Sequence, residues 1–87
     1  MTIEEQFADA QVRVKTLTKA PGNDVLLQLY ALYKQGAVGD VDGKRPGMLD
    51  IRGRAKWDAW AAAKGTPREA AMQRYVALVG KLLGAGN

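Results

Sequence analysis

Between Tyr30 and Trp60 the chain sets phenols, ammonium groups and indoles at helical spacings on either side of a glycine-rich loop. Tyr30, Tyr33 and Lys34 stand at i, i+3 and i+4, so one helix face carries two phenols and a cation. A phenol donates to phosphate oxygen, its ring stacks on a base, and an ammonium supplies charge. Arg52, Lys56 and Trp60 form a second row at i, i+4 and i+8, with Trp57 about 100° round from Lys56. The mixture suits a ligand that joins phosphates to an apolar part. The same spacings also accommodate tyrosines that edge a core with wetted hydroxyls, buried tryptophans and a solvated basic face.

Most catalytic chemistry lacks its residues. The absence of cysteine and histidine removes disulfides, thiolate and imidazole metal ligands, the sulfur nucleophile and the commonest general base. The string from Gly39 to Lys44 resembles a phosphate-binding loop, but has three residues between its glycines and Arg45 where a magnesium-binding hydroxyl belongs. Asp40 and Asp42 hint at a calcium loop without its closing glutamate. Asp40, Asp42 and Asp50 could pair for acid–base work, yet Lys44, Arg45 or helix amides occupy them equally well. No nucleophile–base pair is visible, so the chain reads as a binding protein with no catalytic residue, metal or cofactor.

The elements that position these groups follow from punctuation and period. Thr2 and Glu5 form a capping box, and Ile3, Phe7, Ala10, Val14 and Leu17 make one stripe, giving a first helix that ends at Ala20-Pro21-Gly22. Asn23 or Asp24 caps a second, which runs to about Ala37 and is apolar almost all round. The following GAVGDVDGKRPGM has four glycines and a proline, which predicts an ordered loop. Asp50 caps a third helix that stops at Lys64-Gly65; Thr66, Pro67 and Glu69 start a fourth, with Met72, Val76, Val79 and Leu83 on its stripe, Tyr75 at the edge, and Gly84 and Gly86 fraying its end. Four amphipathic helices without a strand pattern predict an all-α bundle. The long loop permits helices two and three to lie parallel, which brings Tyr30, Tyr33 and Lys34 near Arg52 and Lys56.

At 87 residues, 47% hydrophobic and 25% charged, the chain reads as one soluble domain over residues 1–87 with a thin core. No apolar run approaches a membrane span, and acids stand where a signal peptide carries bases, which predicts a cytoplasmic protein. The net charge of +4 favours anionic partners. Lys44, Arg45, Arg52, Arg54 and Lys56 cluster with Asp50 as the single acid among them, which leaves a small basic nucleic-acid-binding module as an alternative. A structural interaction domain that uses the apolar second helix and the tryptophans is a third reading.

Beyond these patterns, YxxYKQ, VGD, RPGMLD, a basic residue with glycine, AKWDAW, KGT and an AMxxY helix occur in an order that resembles the acyl-CoA-binding protein family across nearly the whole chain. The resemblance implies a four-helix, up-down-down-up bundle that binds long-chain fatty acyl-CoA as a carrier and pool former, without catalysis. It implies that Tyr30, Tyr33, Lys34 and Lys56 hold the adenine and ribose phosphate, and that Lys15 and Tyr75 line the same site. Arg52 stands where a lysine is common, so charge is kept and contact geometry changes. Leu26 replaces a methionine that lies near the acyl chain in some members. A monomer is the state expected of this family, with transient contact to enzymes that use acyl-CoA.

Overall fold

The computed structural model describes residues 1–86 and contains four α-helices, α1 (Ile3–Arg13), α2 (Asn23–Ala37), α3 (Ile51–Ala62) and α4 (Arg68–Gly86), with no strand among the described residues. The expected capping box starts α1: the Glu5 amide donates to Thr2 Oγ1 over 3.1 Å, and the Thr2 amide donates to the Glu5 carboxylate over 2.9 Å. The helix is shorter than its apolar stripe predicts. Thr16 Oγ1 donates to the Arg13 carbonyl at 2.6 Å and the Leu17 amide turns to Val14, so α1 gives way to a 3₁₀ turn over Val14–Thr16. Leu17 is thereby released from the stripe into an extended conformation.

Two further helix starts differ from their sequence signals by a residue. Extended Gly22, and neither Asn23 nor Asp24, takes the cap position of α2, its carbonyl accepting from Leu26 at 3.0 Å. At α4 the Pro67 carbonyl accepts from Ala71, so the helix starts at Arg68 and the Thr66 carbonyl is available to Gln35. Asp50 caps α3 as expected, Oδ1 accepting from the Gly53 amide at 3.0 Å. Gly65, at φ +91°, supplies the left-handed conformation that ends α3.

Side-chain pairings fix the helix directions. Phe7 packs on Tyr33 and approaches Gly36, while Val14 lies with Leu26 and Leu29, so α1 and α2 run antiparallel. Gly36 meets Met72 and its carbonyl accepts from Arg68, which sets the start of α4 beside the end of α2. Between α2 and α3, Tyr30 pairs with Lys56 and Lys34 with Trp60; contacts that advance together require parallel helices. The topology is up-down-down-up, and α2 packs against both α3 and α4.

The core holds Phe7, Ala10, Leu29, Met72, Tyr75 and Val79. Tyr75, expected at an edge, is 5% exposed and meets the Phe7 ring edge-on with centroids 5.2 Å apart. Gly36 is buried where α1, α2 and α4 converge, and a Cβ there would stand 3.0 Å from Phe7 Cζ and 3.1 Å from Met72 Cγ. Its lack of a side chain sets how closely the three helices approach.

The loop from Val38 to Leu49 is held at several points. Asp40 Oδ1 accepts from Gln35 Nε2 and from the Gly65 amide, both at 2.8 Å, and Trp60 Nε1 donates to the Gly39 carbonyl at 2.7 Å. Arg45 makes two bonds to Asp58, of 2.8 and 2.6 Å. The loop therefore ties α3 and the turn that follows it to the end of α2.

Candidate functional site

Two concave regions lie on either side of a ridge made by Leu26 and Tyr30 on α2. The first is an open cleft of about 420 Å³ between the segment Val14 to Pro21, the α2 face carrying Leu29 and Tyr33, and Tyr75 of α4. The second is a groove of about 500 Å³ between Asn23 and Leu27 of α2 and Ile51, Arg52, Ala55 and Lys56 of α3. Both volumes fall within the roughly 300–1,000 Å³ usual for small-molecule sites. The first carries three tyrosines among aliphatic side chains, and the second sets Leu26, Leu27, Ile51 and Ala55 beside the cations Arg52 and Lys56.

The helices place these residues through register. Leu26, Tyr30 and Lys34 form an i, i+4, i+8 row on α2, and Arg52, Lys56 and Trp60 form the matching row on α3. The rows run side by side. Lys56 Nζ lies 5.5 Å from the centroid of the Tyr30 ring and Lys34 Nζ lies 4.8 Å from that of Trp60, so each lysine rests on an aromatic face of the other helix. These two lysines are thereby aligned along the α2–α3 seam.

Of the seven site residues expected from sequence, Lys15, Tyr30, Tyr33 and Tyr75 line the first cleft and Arg52 and Lys56 the second groove, with Tyr30 common to both. Lys34 lines neither. It stands one turn beyond Tyr30, held against Trp60. Tyr33 is 38% exposed and has Phe7 behind it, the two ring centroids 6.1 Å apart and the planes 30° from parallel. Its outer face is available to a planar ligand. Burial, and then the neighbouring Tyr33 phenol, raise the Tyr75 hydroxyl above its ordinary pKa.

The loop carboxylates are committed elsewhere. The Gly65 amide and then the Gln35 side chain, with a smaller contribution from Lys64, lower the Asp40 pKa. The bond from Arg45 lowers that of Asp58. Asp42 accepts from the Gly43 amide, and Asp50 is the α3 cap. Among the described residues no group of three acids, histidines or cysteines could hold a metal ion, and no helix is long and apolar enough to cross a membrane.

Apart from Leu26, sequence reading did not single out the aliphatic lining. Leu17, Leu27 and Ala55 carry no chemical signature, and Leu17 had a place in the α1 stripe. The one signal was the hydrophobicity of α2 all round its circumference, which a single core-facing stripe does not need.

Comparison with known proteins places this architecture. The family model described as "Acyl CoA binding protein" matches residues 4–79. An acyl-CoA-binding protein homolog of Drosophila melanogaster is 53% identical over 77 residues, which cover 88% of this chain and 90% of the relative. The crystal structure of Oryza sativa Acyl-CoA-Binding Protein 2 superposes with a TM-score of 0.90 at 41% identity, covering 94% of this chain and 89% of that one. A crystal structure from Moniliophthora perniciosa covers all of this chain and 85% of its own, with a TM-score of 0.89 at 38% identity.

Proposed function

The chain belongs to the acyl-CoA-binding protein family, and on that footing we propose that it binds long-chain fatty acyl-CoA esters as an intracellular carrier and pool former, without catalysing their conversion. The observation that carries this reading is the shared Leu26–Tyr30 ridge, which joins a cleft of tyrosines and aliphatic side chains to a groove where Leu26, Leu27, Ile51 and Ala55 lie beside Arg52 and Lys56. An acyl-CoA likewise joins an aromatic, phosphate-bearing head to an apolar tail. The exposed face of Tyr33 stacks the adenine; Tyr30, Lys34 and Lys56 bind phosphate along the seam; Lys15, Arg52 and Tyr75 complete the rim. The acyl chain takes the groove beside Leu26, Leu27, Ile51 and Ala55.

Magnitudes support a division of labour. Burying about eight methylenes contributes roughly 6 kcal/mol before ordering costs, and a charge-assisted bond to phosphate adds about 1.5–3 kcal/mol. The tail supplies much of the affinity, while the head group distinguishes acyl-CoA from free fatty acid. No separate cofactor is needed by this mechanism. The carrier works as a single domain over residues 1–87, as a cytoplasmic monomer that meets acyl-CoA-using enzymes transiently.

The nucleic-acid alternative finds no support: Arg45 is in an ion pair with Asp58, and Arg52 and Lys56 border a groove whose other walls are largely aliphatic. Titration calorimetry tests the carrier. One-to-one binding of palmitoyl-CoA about tenfold or more tighter than CoA is expected from the buried tail, and equal affinities would refute it.

A further inference from the structure

Asp42 and Gly43, both exposed on the long loop, place a carboxyl group beside the next backbone nitrogen. The Gly43 amide donates to Asp42 Oδ1 over 2.8 Å, so the nitrogen stands against an atom bonded to the carboxyl carbon, Cγ. Gly43 sits at φ +86°, and a Cβ built there would meet nothing within 4 Å, so neither a side chain of its own nor a neighbour shields that nitrogen. Val41 to Arg45 make no bond between backbone groups among the described residues, which leaves the peptide free to turn. The ends of the stretch are held, Asp40 by Gln35 and Gly65, and Arg45 by Asp58. Only the middle of this short span is unconstrained.

No other aspartate of the chain combines these features. Asp9, Asp24 and Asp58 lie within helices, whose backbone dihedrals turn the following nitrogen away from the side chain. Asp50 accepts from the Gly53 amide and precedes Ile51, the first residue of α3. Asp40 has Oδ1 occupied by two donors and is followed by Val41, whose β-branch crowds the nitrogen.

We propose that Asp42–Gly43 is a site of spontaneous aspartate isomerisation, and that the isoaspartyl form offers a free α-carboxylate to a carboxyl methyltransferase using a sulfonium methyl donor. The Gly43 nitrogen loses its proton to solvent and attacks Cγ of the protonated carboxyl; the N–Cγ bond forms, one Cγ–O bond breaks, and that oxygen departs as water. The product is a cyclic succinimide. Water then adds to either ring carbonyl: opening at Cγ restores aspartate, whereas opening at the α-carbonyl carbon breaks its bond to Gly43 and leaves the chain running through Cβ. In the methyl transfer, the methyl group passes from sulfur to an oxygen of the freed carboxylate, and the sulfonium becomes a neutral thioether. Isomerisation itself moves no electrons and leaves the charge unchanged, but it adds one carbon to the main chain between the anchors at Asp40 and Arg45. The exposed Arg45–Asp58 pair is the weaker tether and the one that yields. None of this depends on the carrier reading.

Ageing of the purified full chain at neutral pH and physiological temperature tests the proposal. Trypsin, cutting after Lys34 and Lys44, releases a peptide that holds both Asp40 and Asp42. Electron-transfer fragmentation tells them apart, because only an isoaspartyl residue breaks between Cα and Cβ. A transient species lighter by one water is expected, followed by isoaspartate confined to Asp42. Each isomerised chain should then accept one methyl group from S-adenosylmethionine and a purified isoaspartyl methyltransferase. Asp42→Glu should abolish all three signals, since its larger ring closes far more slowly, and Gly43→Ala should reduce them several-fold, with helical circular dichroism unchanged in both. The native chain should isomerise at a rate comparable to that of the chain unfolded in guanidinium chloride, because the loop presents the nitrogen to the carboxyl. Absence of isoaspartate at Asp42, its equal spread over the other aspartates, signals that persist in Asp42→Glu, or a native rate far below the unfolded one would each overturn the proposal. Isoaspartate that accepts no methyl group would overturn the assigned methyltransferase.

Discussion

Lys34 Nζ rests 4.8 Å from the centroid of the Trp60 ring, joining a cation of α2 to the indole whose Nε1 holds the Gly39 carbonyl at 2.7 Å. One tryptophan thus supports Lys34 on its face and the loop on its edge. Such a cation–π contact contributes about 0.5–2 kcal/mol according to its desolvation. On the proposed role of Lys34, a ligand phosphate would offer the ammonium a stronger partner, and binding would exchange one attraction for another rather than order a free side chain.

Trp60 separates its two roles by substitution. Trp60→Ala should cost about 3–5 kcal/mol of stability in urea unfolding through loss of a buried aromatic side chain. Trp60→Phe keeps a ring beside Lys34 and loses the bond to Gly39, so a cost of about 1–2 kcal/mol is expected together with largely retained palmitoyl-CoA affinity.

The nucleotide end is tested by Lys34→Ala and Tyr33→Ala. Loss of one charge-assisted bond predicts roughly ten- to hundredfold weaker palmitoyl-CoA binding for Lys34→Ala. Tyr33→Ala should weaken binding in the same direction by removing the stacking face. Calorimetry gives the affinity, and far-ultraviolet circular dichroism should show helical content unchanged in both.

Gly36→Ala should destabilise the bundle although alanine is the better helix former. The propensity gain is about 1 kcal/mol, whereas an added Cβ meets Phe7 and Met72 at 3.0–3.1 Å, an overpacking that costs about 1–3 kcal/mol. A lower melting temperature is the expected outcome, and a higher one would mean that Phe7 or Met72 shifts without cost.

Two pH limits follow from the sign of the shifts. Asp40, Asp58 and Glu5 have lowered pKa values, so their contribution is present above the unfolded carboxylate value and is lost as pH falls through the lower folded values. Stability should decline in acid below about pH 4. Tyr75 has a raised pKa, so its contribution is present below the unfolded phenol value and is lost as pH rises through the higher folded one. Melting temperatures across both ranges check these limits, and Tyr75→Phe should remove the Tyr75 contribution to the alkaline decline.

Much of this was legible before the structure. Thr2, Asp50 and Gly65 mark helix ends because caps and left-handed glycines act locally, and the i, i+4 rows placed Tyr30, Lys34, Arg52 and Lys56 on their proper faces. Errors arose where a distant group competed with a local signal. Thr66 resembles an N-cap, yet its carbonyl serves Gln35 on another helix. Tyr75 was expected at an edge because periodicity does not reveal that Phe7 of α1 packs against it. The register between α2 and α3 was likewise beyond local pattern, since Trp60, Arg45 and Asp40 fix it through bonds to or from a loop without period.

Asp40 gives that loop a spectroscopic handle. Its Oδ1 holds the Gly65 amide across 25 residues of sequence while also holding Gln35, whose own amide reaches Thr66. Gly65 lies in an exposed turn where a backbone proton would ordinarily trade with deuterium at once. Its exchange must instead await separation of the loop from the junction of α3 and α4, so slow exchange at this single proton would time the opening of the frame around the α2–α3 seam.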